Sequence, residues 1–192
     1  SDTGGSIRGP SSANGVVGIK PTNGLISRSG IMPCVLSFDT GGPMARSVYD
    51  AALALGYMTG VDAKDPLTST SAGLFYKDYT QFLKKDALKG VRLGAIRDHQ
   101  GTDAEVDRVF DAALAELKAQ GAIVVDGLHY PAMALNNRAN VMEPMRAEVK
   151  DNYVAYLGTL RPGLPKTVTE LATLGMKLTQ PKGEFMPHPS VF

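Results

Sequence analysis

Cysteine is almost absent from this sequence. Cys34 is the only one, so no disulfide can form within the chain, and a lone thiol fits a reducing, cytoplasmic compartment. An excess of one charge is lacking too: 20 Lys and Arg against 19 Asp and Glu give a formal net charge of +1, mixed along the chain. A nucleic-acid footprint needs Lys and Arg clustered on one face, and an anionic membrane surface needs a polybasic run. Neither occurs, so no nucleic-acid partner is expected. No apolar stretch approaches the roughly 20 residues of a membrane span, so none is expected either. The opening Ser1-Asp2-Thr3-Gly4-Gly5 has no initiator Met and no basic or apolar region of a signal peptide. The chain reads as though cut from something longer.

What remains is an ordinary globular composition. The 192 residues are 43% hydrophobic and 20% charged, enough for one substantial core with or without an appended lobe. Residues 1–45 are rich in Gly, Ser, Thr and Pro but carry β-branched runs that flexible linkers lack, so they read as ordered loops around a site. Within them Gly15-Val16-Val17-Gly18-Ile19-Lys20 predicts a buried strand closed by Pro21, and Pro10 suits the start of a short helical turn. Ser47 with Asp50 three residues on predicts a capped helix to Tyr57, ended by Gly60. Tyr76, Tyr79 and Phe82 recur at helical spacing.

Residues 90–128 form a unit of their own. Val91–Ile96 reads as a strand, and Thr102 with Glu105 as a capping box. The helix that follows carries Val106, Val109, Phe110, Ala113, Leu114 and Leu117 on one face, and Gly121 stops it before the strand Ile123-Val124-Val125. Strand, helix and strand at this spacing predict a βαβ unit, hence an α/β fold with a mixed sheet flanked by helices. Beyond Pro131 the pattern is helical, interrupted by proline, with helices expected at 141–157 and 168–178.

The densest chemical signal is Ser1-Asp2-Thr3-Gly4-Gly5-Ser6-Ile7-Arg8. Adjacent glycines leave backbone N–H groups uncovered and permit unusual backbone angles. A serine at the end of such a loop can attack a carbonyl while those N–H groups stabilise the oxyanion, each donor contributing about 3 kcal/mol. The same composition could cradle a phosphate, and by composition alone a turn without chemistry is the ordinary reading. Gly4-Gly5-Ser6-Ile7-Arg8 is no nucleophile elbow, since arginine stands where the second glycine belongs, and no Walker loop is present. Cys34 has no histidine paired with it. His99, His129 and His188 are scattered without metal-ligand spacing. Methionines between 133 and 186 read as helix packing, and Tyr153 and Tyr156 as residues that could touch a substrate.

Several blocks agree in order and spacing with one family. Ser1 to Arg8, Asn14 to Thr22, Ile26-Ser27-Arg28-Ser29-Gly30 and Gly42-Pro43-Met44-Ala45-Arg46-Ser47 closely resemble the signature of the amidase signature family. The resemblance implies a Ser–cis-Ser–Lys site in which Ser6 is the catalytic nucleophile and forms an acyl-enzyme. It implies an oxyanion hole from the backbone N–H groups of Thr3, Gly4, Gly5 and Ser6, with Asp2 and Arg8 supporting the loop. The family's other two catalytic residues precede this loop, so the chain is expected to be incompetent alone, because a serine without an adjacent base is a poor nucleophile. Lys20, at a strand end in a block the family keeps for structure, is not expected to substitute.

The expected organisation is residues 1–128 as part of the family's core and 129–192 as a variable helical region on the substrate side. The expected partner is a small-molecule or peptide amide, together with either the rest of its own enzyme chain or a homodimer mate. No cofactor and no metal are implied. Asn14 and Gly24-Leu25-Ile26-Ser27-Arg28 resemble amidases of peptides or small amides more than the glutamine-hydrolysing component of tRNA-dependent amidotransferases, which is the alternative. A non-catalytic fragment or interaction module that keeps the scaffold is the third reading.

Overall fold

The Ser47 hydroxyl accepts the Asp50 N–H at 3.1 Å and donates to the Asp50 carboxylate at 2.8 Å, and this cap starts helix α2, Val48–Met58. The helix buries Ala51, Ala52, Leu55 and Gly56 and ends at Thr59, one residue before Gly60. This computed structural model describes residues 1–98, 103–130 and 138–179, apart from the side chains of 138–141, 178 and 179. Two compact units divide the chain: Ser1–Asp78 with Met142–Phe192, and Tyr79–Val141.

The first unit begins with the Gly-rich loop and helix α1 (Arg8–Ala13), in which Pro10 is the third residue rather than the opener. The strand expected over 15–20 shrinks to β1 (Val17–Gly18), paired antiparallel with β2 (Met44–Ala45). Its neighbours are half-buried loop, since Pro21 and Pro43 leave little backbone free to extend the ladder. Ile7, Ile26, Val35, Ala51, Ala52, Leu55 and Leu157 are among its buried apolar side chains. Arg28 and Asp65 tie two loops together: guanidinium Nη2 and Nε reach the carboxylate at 2.6 and 2.8 Å, and the Arg28 N–H adds a third bond at 2.8 Å. Tyr76, Tyr79 and Phe82 do not share an α-helix; Thr80–Phe82 is a single 3-10 turn.

Helices α4 (Arg138–Thr159) and α5 (Val168–Thr179) overlap the two expected segments. Pro144 lies inside α4, which therefore forgoes a helical hydrogen bond there rather than ending. A capping box not anticipated from the sequence opens α5: Thr167 Oγ1 accepts the Glu170 N–H at 3.1 Å, and the Glu170 carboxylate accepts the Thr167 N–H at 3.3 Å.

The second unit is the expected βαβ. Strand β3 (Arg92–Ile96) pairs parallel with β4 (Ile123–Leu128), connected through α3 (Ala104–Ala119). The α3 cap is Asp103, whose carboxylate accepts the N–H groups of Glu105 and Val106 at 2.9 and 3.4 Å; Thr102 lies outside the described residues. Of the apolar face only Leu114 is buried, and Val106 and Val109 remain more than half exposed. Arg97 bridges Asp111 of α3 and Asp126 of β4 at 2.8 and 2.6 Å. The fold is α/β, and among the described residues strand pairs of both senses lie in two separate two-stranded sheets.

Candidate active site

Asp2 organises the Gly-rich loop. It forms an isolated antiparallel bridge with Thr40, its N–H donating at 2.9 Å and its carbonyl accepting at 3.2 Å. Its carboxylate, fully buried, accepts the Gly5 N–H at 2.6 Å, the Ile7 N–H at 3.0 Å, and the N–H and Nε–H of Arg8 at 3.4 Å each. Burial alone would raise this carboxyl. The Ile7 N–H, the Arg8 side chain and the N–H groups of Gly5 and Arg8 outweigh it and lower it to about 2. Asp2 thus does for this loop what a cap residue does for a helix: it satisfies N–H groups ahead of α1 that have no carbonyl to meet.

Gly5 sits at φ 146°, a region that side chains other than glycine's strain to enter. Ser6 follows it, exposed, with no hydrogen-bond partner for its hydroxyl among the described residues. The N–H groups of Thr3, Gly4 and Ser6 likewise have no acceptor among the described residues, whereas that of Gly5 is engaged by Asp2. Three of the four donors expected of the loop are therefore open beside the serine. Ile7, wholly buried, fixes the far side of the loop. The Arg8 side chain is 59% exposed, and of its nitrogens Nε is the one that reaches Asp2.

A second layer, for which the sequence carries no signal, holds Thr3. Buried Asp39 accepts the Thr3 hydroxyl on one carboxylate oxygen and the Cys34 N–H at 2.6 Å on the other. Helix α4 reaches this 34–39 loop from more than a hundred residues away. The Glu148 carboxylate accepts both the N–H and the hydroxyl of Ser37, at 3.1 and 2.5 Å, and Asn152 Nδ2 donates to the Cys34 carbonyl at 3.5 Å. The two bonds from Ser37, hydroxyl first, hold the Glu148 carboxyl below its ordinary range. Tyr153 completes this face of α4, its phenol pushed up by burial and by Cys34 and Asp39. Burial and Asp39 push the Cys34 thiol up as well, the reverse of what an activated thiolate needs.

A cavity of about 470 Å³ lies beside Thr3, lined also by Lys20, Thr22, Asn23, Ser37 and Phe38. Lys20 makes no ion pair among the described residues and no hydrogen bond to Ser6. His129 is exposed and pairs with Asp98 at 2.7 Å; His99 and His188 lie outside the described residues. Among the described residues no three His, Cys, Asp or Glu side chains are grouped to hold a metal ion. No helix among them is long and apolar enough to cross a membrane.

Comparison with known proteins adds the context. The Amidase family matches residues 1–184. One component of the glutamyl-tRNA(Gln) amidotransferase of Thermosynechococcus vestitus is 48% identical over 128 residues, 66% of this chain and 26% of that protein. The chain thus spans about a quarter of the length of the curated relatives it matches. Among solved structures, an amidase family protein from Bacillus anthracis matches with a TM-score of 0.79 at 31% identity, over 92% of this chain and 34% of its own. The native peptide amidase of Stenotrophomonas maltophilia matches with a TM-score of 0.78 at 36% identity, over 92% of this chain and 36% of its own.

Proposed function

The chain belongs to the amidase family, and from that premise we propose that Ser6 is the nucleophile of a site that hydrolyses carboxylic amides. The Ser6 Oγ–carbon bond forms and the C–N bond breaks, with the hydroxyl proton passing through a base to the leaving amine. Water then cleaves the acyl ester, frees the acid and restores the hydroxyl. The N–H groups of Thr3, Gly4 and Ser6 hold the oxyanion, while Gly5 with Asp2 shapes the loop that presents them. The base is assigned, by the family's pattern, to a lysine acting through a cis-serine at positions before Ser1. Residues 129–192 are assigned to the substrate side, and a cytoplasmic setting belongs to the same reading. One observation carries the proposal: an exposed serine with an unengaged hydroxyl directly after a glycine loop whose N–H groups are largely open.

The test uses the longest chain that the gene encodes. A fluorophosphonate probe should label Ser6, located by peptide mass mapping, and Ser6→Ala should abolish the adduct. Absence of labelling at Ser6 sinks the assignment. A second reading, hydrolysis of glutamine as one component of a tRNA-dependent amidotransferase, is favoured by the 48% identity to such a component. Similarity to a peptide amidase extends further along this chain, over 92% of it, and favours peptide or small amides. Ammonia release from a C-terminal peptide amide by that longest chain, purified without partners, supports the first reading. Release only from glutamine, with tRNA and partner proteins co-purifying, supports the second.

A further inference from the structure

The cavity beside Thr3 has a definite chemical character. Its six lining residues include one cation, Lys20, and no carboxylate. The two acids nearest in the bonding network are both occupied: Glu148 by the N–H and hydroxyl of Ser37, Asp39 by the Thr3 hydroxyl and the Cys34 N–H. Lys20 is half-buried and has no ion-pair partner among the described residues. Asn23 donates Nδ2 to the Ser37 carbonyl at 3.0 Å, which ties together two of the lining residues. Phe38 is the apolar side chain of the lining. An amine partly withdrawn from water without a counter-ion lowers its free energy by gaining one, and a carboxylate delivered with an apolar stem fits this lining.

The position matters as much as the chemistry. Thr3 belongs both to the cavity and to the loop that ends in Ser6, and three residues of chain span at most about 11 Å. The cavity thus lies within reach of a group a few bonds from a carbonyl held at Ser6. We infer that this cavity is a subsite for a carboxylate borne by the substrate amide, with Lys20 as its counter-ion. The inference rests on the reading of Ser6 as nucleophile and narrows it to amides carrying an anionic group.

The experiment compares anilide and alkyl amide substrates whose acyl or amine part ends either in a carboxylate or in a methyl group, across two to five intervening carbons. It uses the longest chain that the gene encodes, with Ser6→Ala, Lys20→Gln and Lys20→Arg beside it. The expected result is a higher kcat/KM for one carboxylate-ended series. The ratio of carboxylate to methyl should fall about ten- to a hundredfold in Lys20→Gln, the range of a charge-assisted hydrogen bond, and recover to within about threefold in Lys20→Arg. Raising ionic strength should shrink the wild-type ratio, because an open subsite is screened. A wild-type protein indifferent to the carboxylate on either side overturns the subsite, and does so even where Lys20→Gln fails to fold. A preference that persists in Lys20→Gln overturns the role of Lys20. Hydrolysis undiminished in Ser6→Ala overturns the nucleophile reading instead, so the two failures are distinguishable.

Discussion

At the scale of single residues, the decisive group is a carboxylate rather than the serine it serves. Asp2 titrates at about 2 in the folded chain against about 3.9 in an unfolded one, so the unfolded chain binds more protons between those values. Its contribution is fully present above about pH 4 and disappears as pH falls toward 2, on the order of 2 kcal/mol. Asp65, lowered to about 2 chiefly by the Arg28 side chain against the effect of burial, loses a comparable contribution in the same window. Urea midpoints measured from pH 6 to pH 2 should therefore fall steeply below pH 4, and Asp2→Asn or Asp65→Asn should each remove part of the slope. A slope unchanged in both variants refutes the assignment. Gly5→Ala should cost about 1 to 3 kcal/mol through its backbone angle. It should also slow fluorophosphonate labelling of Ser6 at temperatures well below the variant's thermal midpoint, where the chain is still folded.

At the scale of elements, helix α2 offers a reversal of a familiar rule. Replacing a glycine inside a helix by alanine normally stabilises by about 1 kcal/mol. A Cβ on Gly56, however, would stand 2.3 Å from the Lys77 carbonyl oxygen, a backbone atom that cannot swing aside. Gly56→Ala is thus expected to destabilise by about 1 to 3 kcal/mol, read as a drop in thermal midpoint. Helix α4 yields another prediction: Glu148→Ala removes both acceptors of Ser37. A chymotryptic cut after Phe38 should then appear sooner in limited proteolysis, while Glu148→Gln keeps most of the protection. Equal cutting in wild type and Glu148→Ala contradicts this. The elements themselves are legible in the sequence where local chemistry decides them. Ser47 announces α2, and Gly121 with the apolar spacing of α3 announces the βαβ unit. The strand expected over 15–20 is mostly loop because β-branched residues report burial as readily as pairing, and the ladder takes in Val17 and Gly18 alone.

At the scale of the whole chain, the loop signature that names the family is contiguous and can be read from residues 1–47, whereas its supports cannot. Asp39 under Thr3 and Glu148 on Ser37 are contacts between distant positions, and no periodicity encodes them. The stripe on α3 is legible as a stripe, yet Val106 and Val109 stay exposed because only two strands lie in its sheet among the described residues. With the edges of both two-stranded sheets unpaired there, the 192-residue segment expressed by itself should self-associate, raising its light scattering above that of the longest chain that the gene encodes at equal concentration. A strictly monomeric segment under those conditions would count against that expectation. The bond between Ser37 and Glu148 spans 111 positions of sequence, and that separation is also an interval of time. At about 5 to 20 residues per second, a ribosome needs roughly 6 to 22 seconds between adding one partner and the other. The glycine loop, whose partners all lie within the first 40 residues, can thus be set while the helix that pins its neighbour has yet to be made.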